Sequence, residues 1–180
     1  MKIRPDLKLL DSVGCNLVTV SLSEFPELAD YSWVLWKAAY EPHLLASAPS
    51  RLMWARSYSQ AALEAAFTGG EKTFWIMTDG VRAGFVAYRM ETTRRQMRLS
   101  KLYLHPDYWG LGLGGRVLEW LSEAAIKVGA QCIDLYVFRQ NFRAIQAYQR
   151  AGFHVAREEI TDLGGGVIYD DLVMIKRTQD

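Results

Sequence analysis

Residues 110–116 form a glycine-rich run whose residue types suggest the binding of a phosphate group. The run reads Gly110, Leu111, Gly112, Leu113, Gly114, Gly115 and Arg116. Glycine lets the backbone approach a ligand closely, and the first N–H groups of a helix are free to donate to an anion. A flexible connection between a strand and a helix has a similar composition, so the run by itself leaves both interpretations open.

The same glycines fit a dinucleotide-binding motif, but their surroundings do not. Gly110, Gly112 and Gly115 satisfy G-x-G-x-x-G, and Asp134 lies at about the distance where that fold places its ribose-binding acid. In that fold the motif follows its strand at once, whereas residues 105–109 intervene here. Asp134 also lies in the middle of a predicted strand, and the chain beyond it is too short for a doubly wound sheet. No Gly-Lys-Ser/Thr follows for a Walker A loop, so we reject both nucleotide motifs.

A helix is predicted directly after the glycines and must hold their N–H groups in place. Its apolar residues share one face, namely Val117, Leu118, Leu121, Ala125 and Val128. Gly129 ends this helix, and residues 133–137 read as a strand. Asn141 then caps a short helix that carries Tyr148 and ends at Gly152. The second half of the chain is therefore predicted as strand, helix, strand, helix.

An antiparallel meander is predicted for the middle of the chain. Residues 72–78 and 81–90 are apolar, β-prone runs separated by Asp79-Gly80, which is a strong hairpin signal. Residues 97–105 form a third run after a reversal at Arg94-Arg95. Strict alternation in this run places Leu99, Lys101 and Tyr103 on one face of the sheet, against Ser100, Leu102 and Leu104 on the other.

Further elements complete the predicted mixed sheet. Residues 16–22 read as a first strand, and helices capped by Ser23 and Ser59 follow it. Residues 153–160 and 167–176 form a closing antiparallel pair. The fold class is therefore predicted to be α/β (α+β).

Composition indicates one globular domain without a strong global charge. Of the 180 residues, 50% are hydrophobic, and 21 Lys and Arg balance 20 Asp and Glu. We expect a single domain over residues 1–180, with a core at 16–177 and tails at 1–15 and 178–180. The net charge of +1 provides no field that would attract nucleic acid or an anionic membrane.

The cysteines and the first residues of the chain bear on its location. Cys15 and Cys132 are the two cysteines, which gives neither a metal-site spacing nor a disulfide framework. Residues 1–11 lack the uninterrupted apolar run of a signal peptide or membrane span. We therefore expect a cytoplasmic protein with no metal, no nucleic-acid partner and no membrane partner.

Residues 100–153 resemble the acetyl-CoA-binding core of the GNAT superfamily of N-acetyltransferases. In that family a strand ends in a His-Pro or Asp-Pro corner, followed by Arg/Gln-x-x-Gly-x-Gly/Ala. Here His105-Pro106 is followed by Trp109, Gly110, Gly112 and Gly114, so Trp109 departs from the usual Arg or Gln. A second family signature is matched by Asn141, Ala144, Tyr148 and Gly152-Phe153. The resemblance implies the GNAT acyl-CoA N-acyltransferase fold, a mixed and mostly antiparallel sheet flanked by helices.

The resemblance also implies acetyl-CoA as cosubstrate and assigns roles to the matching residues. Backbone groups of Leu102, Tyr103 and Leu104 would contact the pantetheine and the acetyl carbonyl. The N–H groups of Gly110, Leu111, Gly112, Leu113, Gly114 and Gly115 would hold the pyrophosphate. Because Trp109 departs from the family pattern, our own hypothesis is that it packs beside Tyr108 or the cofactor and holds the turn in shape. Asn141 would contact the pantetheine arm as well as cap its helix. Tyr148 would be the general acid for the thiolate, the alternative being a buried structural aromatic.

The general base and the acceptor stay open at this stage. Candidates for the base are Glu41, His43, Glu91 and His105, and proton loss through water would need none of them. The terminal run 169–174 resembles the polyamine-acetylating branch of the family, and Glu41, Glu64 or Glu91 could attract a cationic amine. We expect a small-molecule primary amine such as a polyamine.

Three other possibilities remain. The protein could acetylate protein N-termini. It could instead be a non-catalytic acyl-CoA-binding or regulatory module with the same fold. The strand pair near the C-terminus could also form the edge of a homodimer.

Overall fold

The computed structural model describes residues 14–43, 49–162, 164 and 168–178. Its strands are β1 (Cys15–Thr19), β2 (Lys72–Thr78), β3 (Val81–Glu91), β4 (Gln96–Leu104), β5 (Cys132–Phe138), β6 (His154–Asp162) and β7 (Ile168–Arg177). Its helices are α1 (Phe25–Tyr40), α2 (Ser50–Tyr58), α3 (Gln60–Thr68), α4 (Leu113–Lys127) and α5 (Phe142–Arg150). Among the described residues, no helix is both long enough and apolar enough to cross a membrane.

The strands form one sheet in the order β1-β2-β3-β4-β5-β7-β6. All neighbours are antiparallel except β4 and β5, which are parallel because α4 connects them. The predicted mixed, mostly antiparallel sheet is therefore confirmed. At its start, β1 begins at Cys15, one residue before the expected boundary of the core.

Local signals explain most of the element boundaries. Asp79 and Gly80 both have positive φ, 49° and 77°, as a two-residue hairpin turn requires. Ser59 caps α3 by accepting a hydrogen bond from the Ala62 N–H at 3.3 Å. Ser23 does not cap α1 as expected, because it lies within a short 3-10 helix, Leu22–Glu24, that precedes α1. Ser21 and Glu24 form a capping box at the start of that 3-10 helix, with the Ser21 N–H donating to Glu24 Oε2 at 2.9 Å.

Two hydrophobic cores lie on opposite faces of the sheet. One contains residues of α1, α2 and α3 packed on the central strands, including Leu28, Trp36, Met53, Trp75 and Phe85. The other contains residues of α4 and α5, including Val117, Leu121, Ile133, Ile145 and Met174. Helices on both faces bury the central strands almost completely, which favours long apolar runs over strict alternation in them.

A β-bulge at Ser100 interrupts the alternation that was predicted for β4. Ala87 pairs with Lys101 and Tyr88 pairs with Leu99, so Ser100 is the extra residue on β4. Beyond the bulge the faces exchange. Leu102 and Leu104 therefore pack with the same core as Leu99, whereas Tyr103 packs with the α1 and α2 side. The expectation that Leu99 and Tyr103 share a face is wrong, because strict period two holds only without an inserted residue.

Candidate active site

A cavity of about 690 Å³ opens where β4 and β5 separate. The two strands pair in register only from Gln96 and Cys132 to Leu99 and Leu135. Beyond that point, residues 100–104 of β4 and residues 136–138 of β5 line opposite sides of the cavity. The start of α4 and one side of α5 complete its walls. The cavity thus exposes β4 backbone that would otherwise pair with β5.

The glycine-rich turn forms one end of this cavity. Gly110 and Gly112 have φ of 79° and 80°, a region that disfavours every residue with a side chain. Gly112 is the N-cap of α4, so the first N–H groups of the helix lack intrahelical partners. A Cβ added at Gly110, Gly112 or Gly115 would meet no heavy atom within 4 Å. The surface beside these N–H groups is therefore open to an anionic ligand.

Trp109 links the turn to its neighbours. Its Nε1 donates a hydrogen bond to the Leu104 carbonyl oxygen at 2.8 Å. The guanidinium carbon of Arg143 lies 3.0 Å from the centre of the indole ring, so α5 also contacts this side chain. These contacts join the end of β4, the turn and the first residues of α5. Trp109 thus has the contacts of a residue that fixes the shape of the turn.

Three residues of the second signature line the cavity: Asn141 at the N-cap of α5, and Ala144 and Tyr148 within the helix. Asn141 Oδ1 accepts a hydrogen bond from the Ala144 N–H at 3.2 Å, so the side chain caps the helix. Tyr148 is 9% exposed and packs edge to face on Phe153, with ring centres 5.8 Å apart. Burial raises the pKa of Tyr148, with a smaller contribution from Tyr40, so its hydroxyl is protonated at neutral pH.

The Tyr148 hydroxyl is available to a ligand. It makes no hydrogen bond to another described residue. In the described part of the chain, every side-chain oxygen that is fully buried has a hydrogen-bond partner, so the Tyr148 oxygen is not fully buried. Its oxygen is therefore reached from the cavity rather than sealed in the core. A protonated phenol in this position can donate to a group bound in the cavity.

An aromatic cluster forms the other end of the cavity. Tyr103 donates to Tyr40 Oη at 3.4 Å, and the hydroxyls of Tyr58 and Tyr103 are 2.7 Å apart. Burial raises the pKa of Tyr40 to about 12 and holds the pKa values of Tyr58 and Tyr103 well above their usual range. Beneath the cluster, Lys101 Nζ lies 2.6 Å from Glu71 Oε1, and both side chains are buried. The hydroxyls are therefore neutral, and the charges beneath them are paired.

Asp171 is a functional candidate that the sequence did not reveal. It lies on β7 opposite Phe138 of β5, and of the described residues that line the cavity it alone carries a carboxylate. Burial, with smaller contributions from Asp170 and Glu159, raises its pKa to about 6. No sequence signal separates Asp171 from its neighbour Asp170, which instead accepts from Arg139 Nε at 2.8 Å.

Three of the four side chains proposed from the sequence as bases lie outside the cavity. Glu41 is exposed, Glu91 accepts from Arg89 at 3.1 Å, and His105 Nδ1 accepts from the Asp107 N–H at 3.4 Å. None of these three lines the cavity, and the side chain of His43 lies outside the described residues. Glu64 accepts from Gln60 at 2.8 Å on an exposed face of α3. Glu41, Glu64, Glu91 and His105 therefore provide no direct contact with a ligand in the cavity.

Most of the predicted cofactor-binding residues do line the cavity. They are Leu102, Tyr103, Leu104, Trp109, Gly110, Gly112, Leu113, Gly114, Gly115 and Asn141. Leu111 does not, and its side chain is 70% exposed. Asp134, which was rejected as a ribose ligand, is buried and accepts from Arg98 Nε at 2.7 Å. Asp134 therefore pairs with the neighbouring strand and does not face the glycines.

Comparison with known proteins gives partial sequence matches. A stretch of 55 residues is 42% identical to mycothiol acetyltransferase of Corynebacterium aurimucosum, covering 31% of this chain and 18% of that protein. A stretch of 106 residues is 28% identical to an uncharacterized N-acetyltransferase of Methanocaldococcus jannaschii, covering 56% and 45%. The chain thus matches less than half the length of these curated relatives.

Solved structures match over nearly the whole chain. The PaiA N-acetyltransferase of Thermoplasma acidophilum, solved in complex with coenzyme A, has a TM-score of 0.72 at 23% identity and covers 91% of this chain and 98% of that one. A chimera of the Vibrio cholerae spermidine N-acetyltransferase SpeG and hSSAT has a TM-score of 0.66 at 15% identity, covering 92% and 96%. These likenesses show a common fold.

The match that identifies the family covers the site described above. Residues 28–153 match the acetyltransferase (GNAT) family, and this range contains the glycine-rich turn, Asn141 and Tyr148. The matched range is well over half of the 180 residues. The chain therefore belongs to the acetyltransferase (GNAT) family.

Proposed function

We propose that this protein is an N-acetyltransferase that moves an acetyl group from acetyl-CoA to a primary amine of a small molecule. The observation that carries the proposal is the continuity of one cavity. It joins the open N–H groups of the glycine-rich turn to Tyr148 and to the aromatic end. A ligand with a phosphate group at one end and a reactive group at the other fits this arrangement.

The residues of the cavity suit acetyl-CoA. The N–H groups at the start of α4 would hold the pyrophosphate, since the helix dipole and the absence of side chains both favour an anion there. The backbone of residues 102–104 would contact the pantetheine arm where β5 has separated from β4. Asn141 lines this part of the cavity and would contact the same arm.

Acetyl-CoA would supply the acetyl group as a thioester. In the transfer, the acetyl carbon exchanges its bond to sulfur for a bond to the amine nitrogen, and sulfur keeps the electron pair of the broken bond. Tyr148 Oη holds a proton that it can donate to that sulfur, because burial keeps the phenol protonated. The amide nitrogen releases one proton, which restores the phenol.

Two sets of observations support a catalytic protein with a small acceptor. A non-catalytic module would need no available phenol at this place, whereas the Tyr148 hydroxyl lacks a partner among the described residues. Some relatives of this chain are named for the small molecules mycothiol and spermidine, although others are named for ribosomal proteins. An aromatic-lined, partly enclosed cavity also suits a small acceptor better than an extended peptide.

The test is an assay of acetyl-CoA consumption across a panel of small amines, amino acids and peptides with free N-termini. We expect release of free thiol with at least one small amine and little with peptides. A protein that binds acetyl-CoA but consumes none with any amine would support the non-catalytic alternative. Preferential consumption with the peptides would support a protein N-acetyltransferase.

A further inference from the structure

The aromatic end of the cavity offers a single unpaired charge. Glu159, beside Asp171 on the neighbouring strand β6, accepts from Arg157 at 2.8 Å. Asp170 is held by Arg139, and Glu71 by Lys101. Asp171 has no cationic partner among the described residues, although it lines the cavity. A half-buried carboxylate without a partner is costly, so a cationic ligand would stabilise it.

Apart from the ion-paired Asp170 and Glu159, the groups beside Asp171 are aromatic and neutral. Phe138 lies opposite it on β5, and Tyr40 and Tyr169 are close enough that its charge raises their pKa values. The Tyr169 hydroxyl donates to the Met53 carbonyl oxygen at 3.2 Å, and the Tyr40 hydroxyl accepts from Tyr103. Aromatic rings around one carboxylate favour a ligand with an ammonium group and an apolar body.

We infer, on the basis of the proposed function, that Asp171 binds the ammonium group of the acceptor and takes its proton, and that the acceptor carries one amine on an apolar or aromatic body. In this step an N–H bond of the ammonium breaks, an O–H bond forms at Asp171, and the electron pair stays on nitrogen. The neutral amine can then attack the thioester, and Asp171 later releases the proton to water. This inference favours a monoamine over a polyamine as the acceptor, because the described residues that line the cavity provide no second carboxylate for a second ammonium group.

The raised pKa of Asp171 suits both parts of this role. At about 6 it lies below neutrality, so the carboxylate is charged and can bind a cation at pH 7. The pKa is also higher than that of an exposed Asp, so the group is a better proton acceptor. Below pH 6 the carboxyl becomes neutral and amine binding should weaken.

The experiment compares Asp171→Asn with Asp170→Asn, a neighbouring substitution that removes the same charge outside the cavity. Calorimetric titration of the CoA-saturated protein would use 2-phenylethylamine, tyramine and tryptamine as single-cation probes, and putrescine and spermidine as polyamines. We expect a monoamine to bind best and Asp171→Asn to weaken its binding at least about 10-fold, with CoA affinity unchanged. Asp170→Asn should stay within about 2-fold of the wild type. In turnover, the rise of kcat/KM with pH, centred near pH 6, should disappear in Asp171→Asn.

Three outcomes would overturn the inference: tighter binding of polyamines than of every monoamine, no binding of any monoamine, or equal amine affinity in Asp171→Asn and the wild type. The proposed function fails by a different result. If it is wrong, acetyl-CoA is not consumed with any small amine, whether or not CoA binds. The two failures are therefore distinguishable in the same set of proteins.

Discussion

At the scale of single residues, the polar side chains around the cavity differ in whether the protein itself satisfies them. Lys101 pairs with Glu71, and Asp170 pairs with Arg139. Tyr148 and Asp171 line the cavity without such a partner among the described residues. Paired groups contribute to structure, whereas groups left open in a cavity are free to bind and react. Tyr148 and Asp171 are therefore two residues to test.

Replacing Tyr148 with Phe removes the hydroxyl and retains the ring that packs on Phe153. We expect turnover to fall on the order of 10²-fold, because the leaving sulfur loses its proton donor, while CoA affinity is nearly preserved. Steady-state and pre-steady-state kinetics with a true acceptor measure the effect. An unaltered rate of the chemical step would mean that Tyr148 is a structural aromatic.

Replacing Trp109 with Arg restores the residue that is usual in the family at a position where this protein has a Trp that contacts Leu104 and Arg143. The variant loses the hydrogen bond to Leu104 and places a second guanidinium beside Arg143. We therefore expect CoA affinity to stay within about tenfold of the wild type, or about 1.4 kcal/mol. Titration at low and high salt provides the check, with Trp109→Phe as the control that keeps a ring against Arg143. A larger gain that salt screens would instead mean that Trp109 replaces a lost phosphate contact.

At the scale of elements, two irregularities of β4 create the site. The bulge at Ser100 turns Tyr103 toward α1 and α2, where its hydroxyl meets those of Tyr40 and Tyr58. The loss of pairing with β5 after Leu99 then opens the cavity. A regular strand that paired along its whole length would fill this space with backbone hydrogen bonds. The site therefore exists because the sheet is interrupted there.

Two glycines at the start of α4 have different roles: Gly112 is needed for the backbone conformation, and Gly115 for access of the ligand. Gly112 has a φ of 80°, so Gly112→Ala should cost about 1–2 kcal/mol and lower the Tm by roughly 2–8 °C. Gly115 lies in the first turn of α4 without a positive φ, so Gly115→Ala should leave the Tm unchanged or higher. Its added methyl group should nevertheless weaken CoA binding, because it occupies the open space beside the N–H groups. Thermal melts and CoA titrations of both variants check these two predictions. Full CoA affinity in Gly115→Ala would count against binding of the pyrophosphate by the N–H groups at the start of α4.

At the scale of the whole molecule, the cavity connects two layers that are otherwise separate cores. Tyr148 comes from the α4 and α5 side, while Trp36, Tyr40 and Met53 come from the α1 and α2 side. A ligand in the gap between β4 and β5 would therefore contact both faces of the sheet. Its binding should stabilise the folded protein as a unit.

Coenzyme A should raise the melting temperature, and NAD should not. At about 100 times its Kd, a ligand that binds only the folded state adds roughly 2.7 kcal/mol, which for a chain of this size is about 5–11 °C. Differential scanning fluorimetry with each compound is sufficient. A shift with NAD and none with CoA would reverse the interpretation of the glycine-rich turn.

The sequence by itself determined the order of elements, the glycine-rich turn and the placement of Tyr148 on the inner face of a helix. These features depend on local spacing, capping residues and hairpin turns, all of which act over a few neighbouring positions. The tertiary structure alone decided which face Tyr103 occupies, because one inserted residue in β4 reverses the alternation. It also decided that Asp171, 23 residues after Tyr148, lies in the same cavity while Glu41, Glu91 and His105 do not. Burial and the pairing of charges across the sheet depend on contacts between distant segments, which no local pattern encodes.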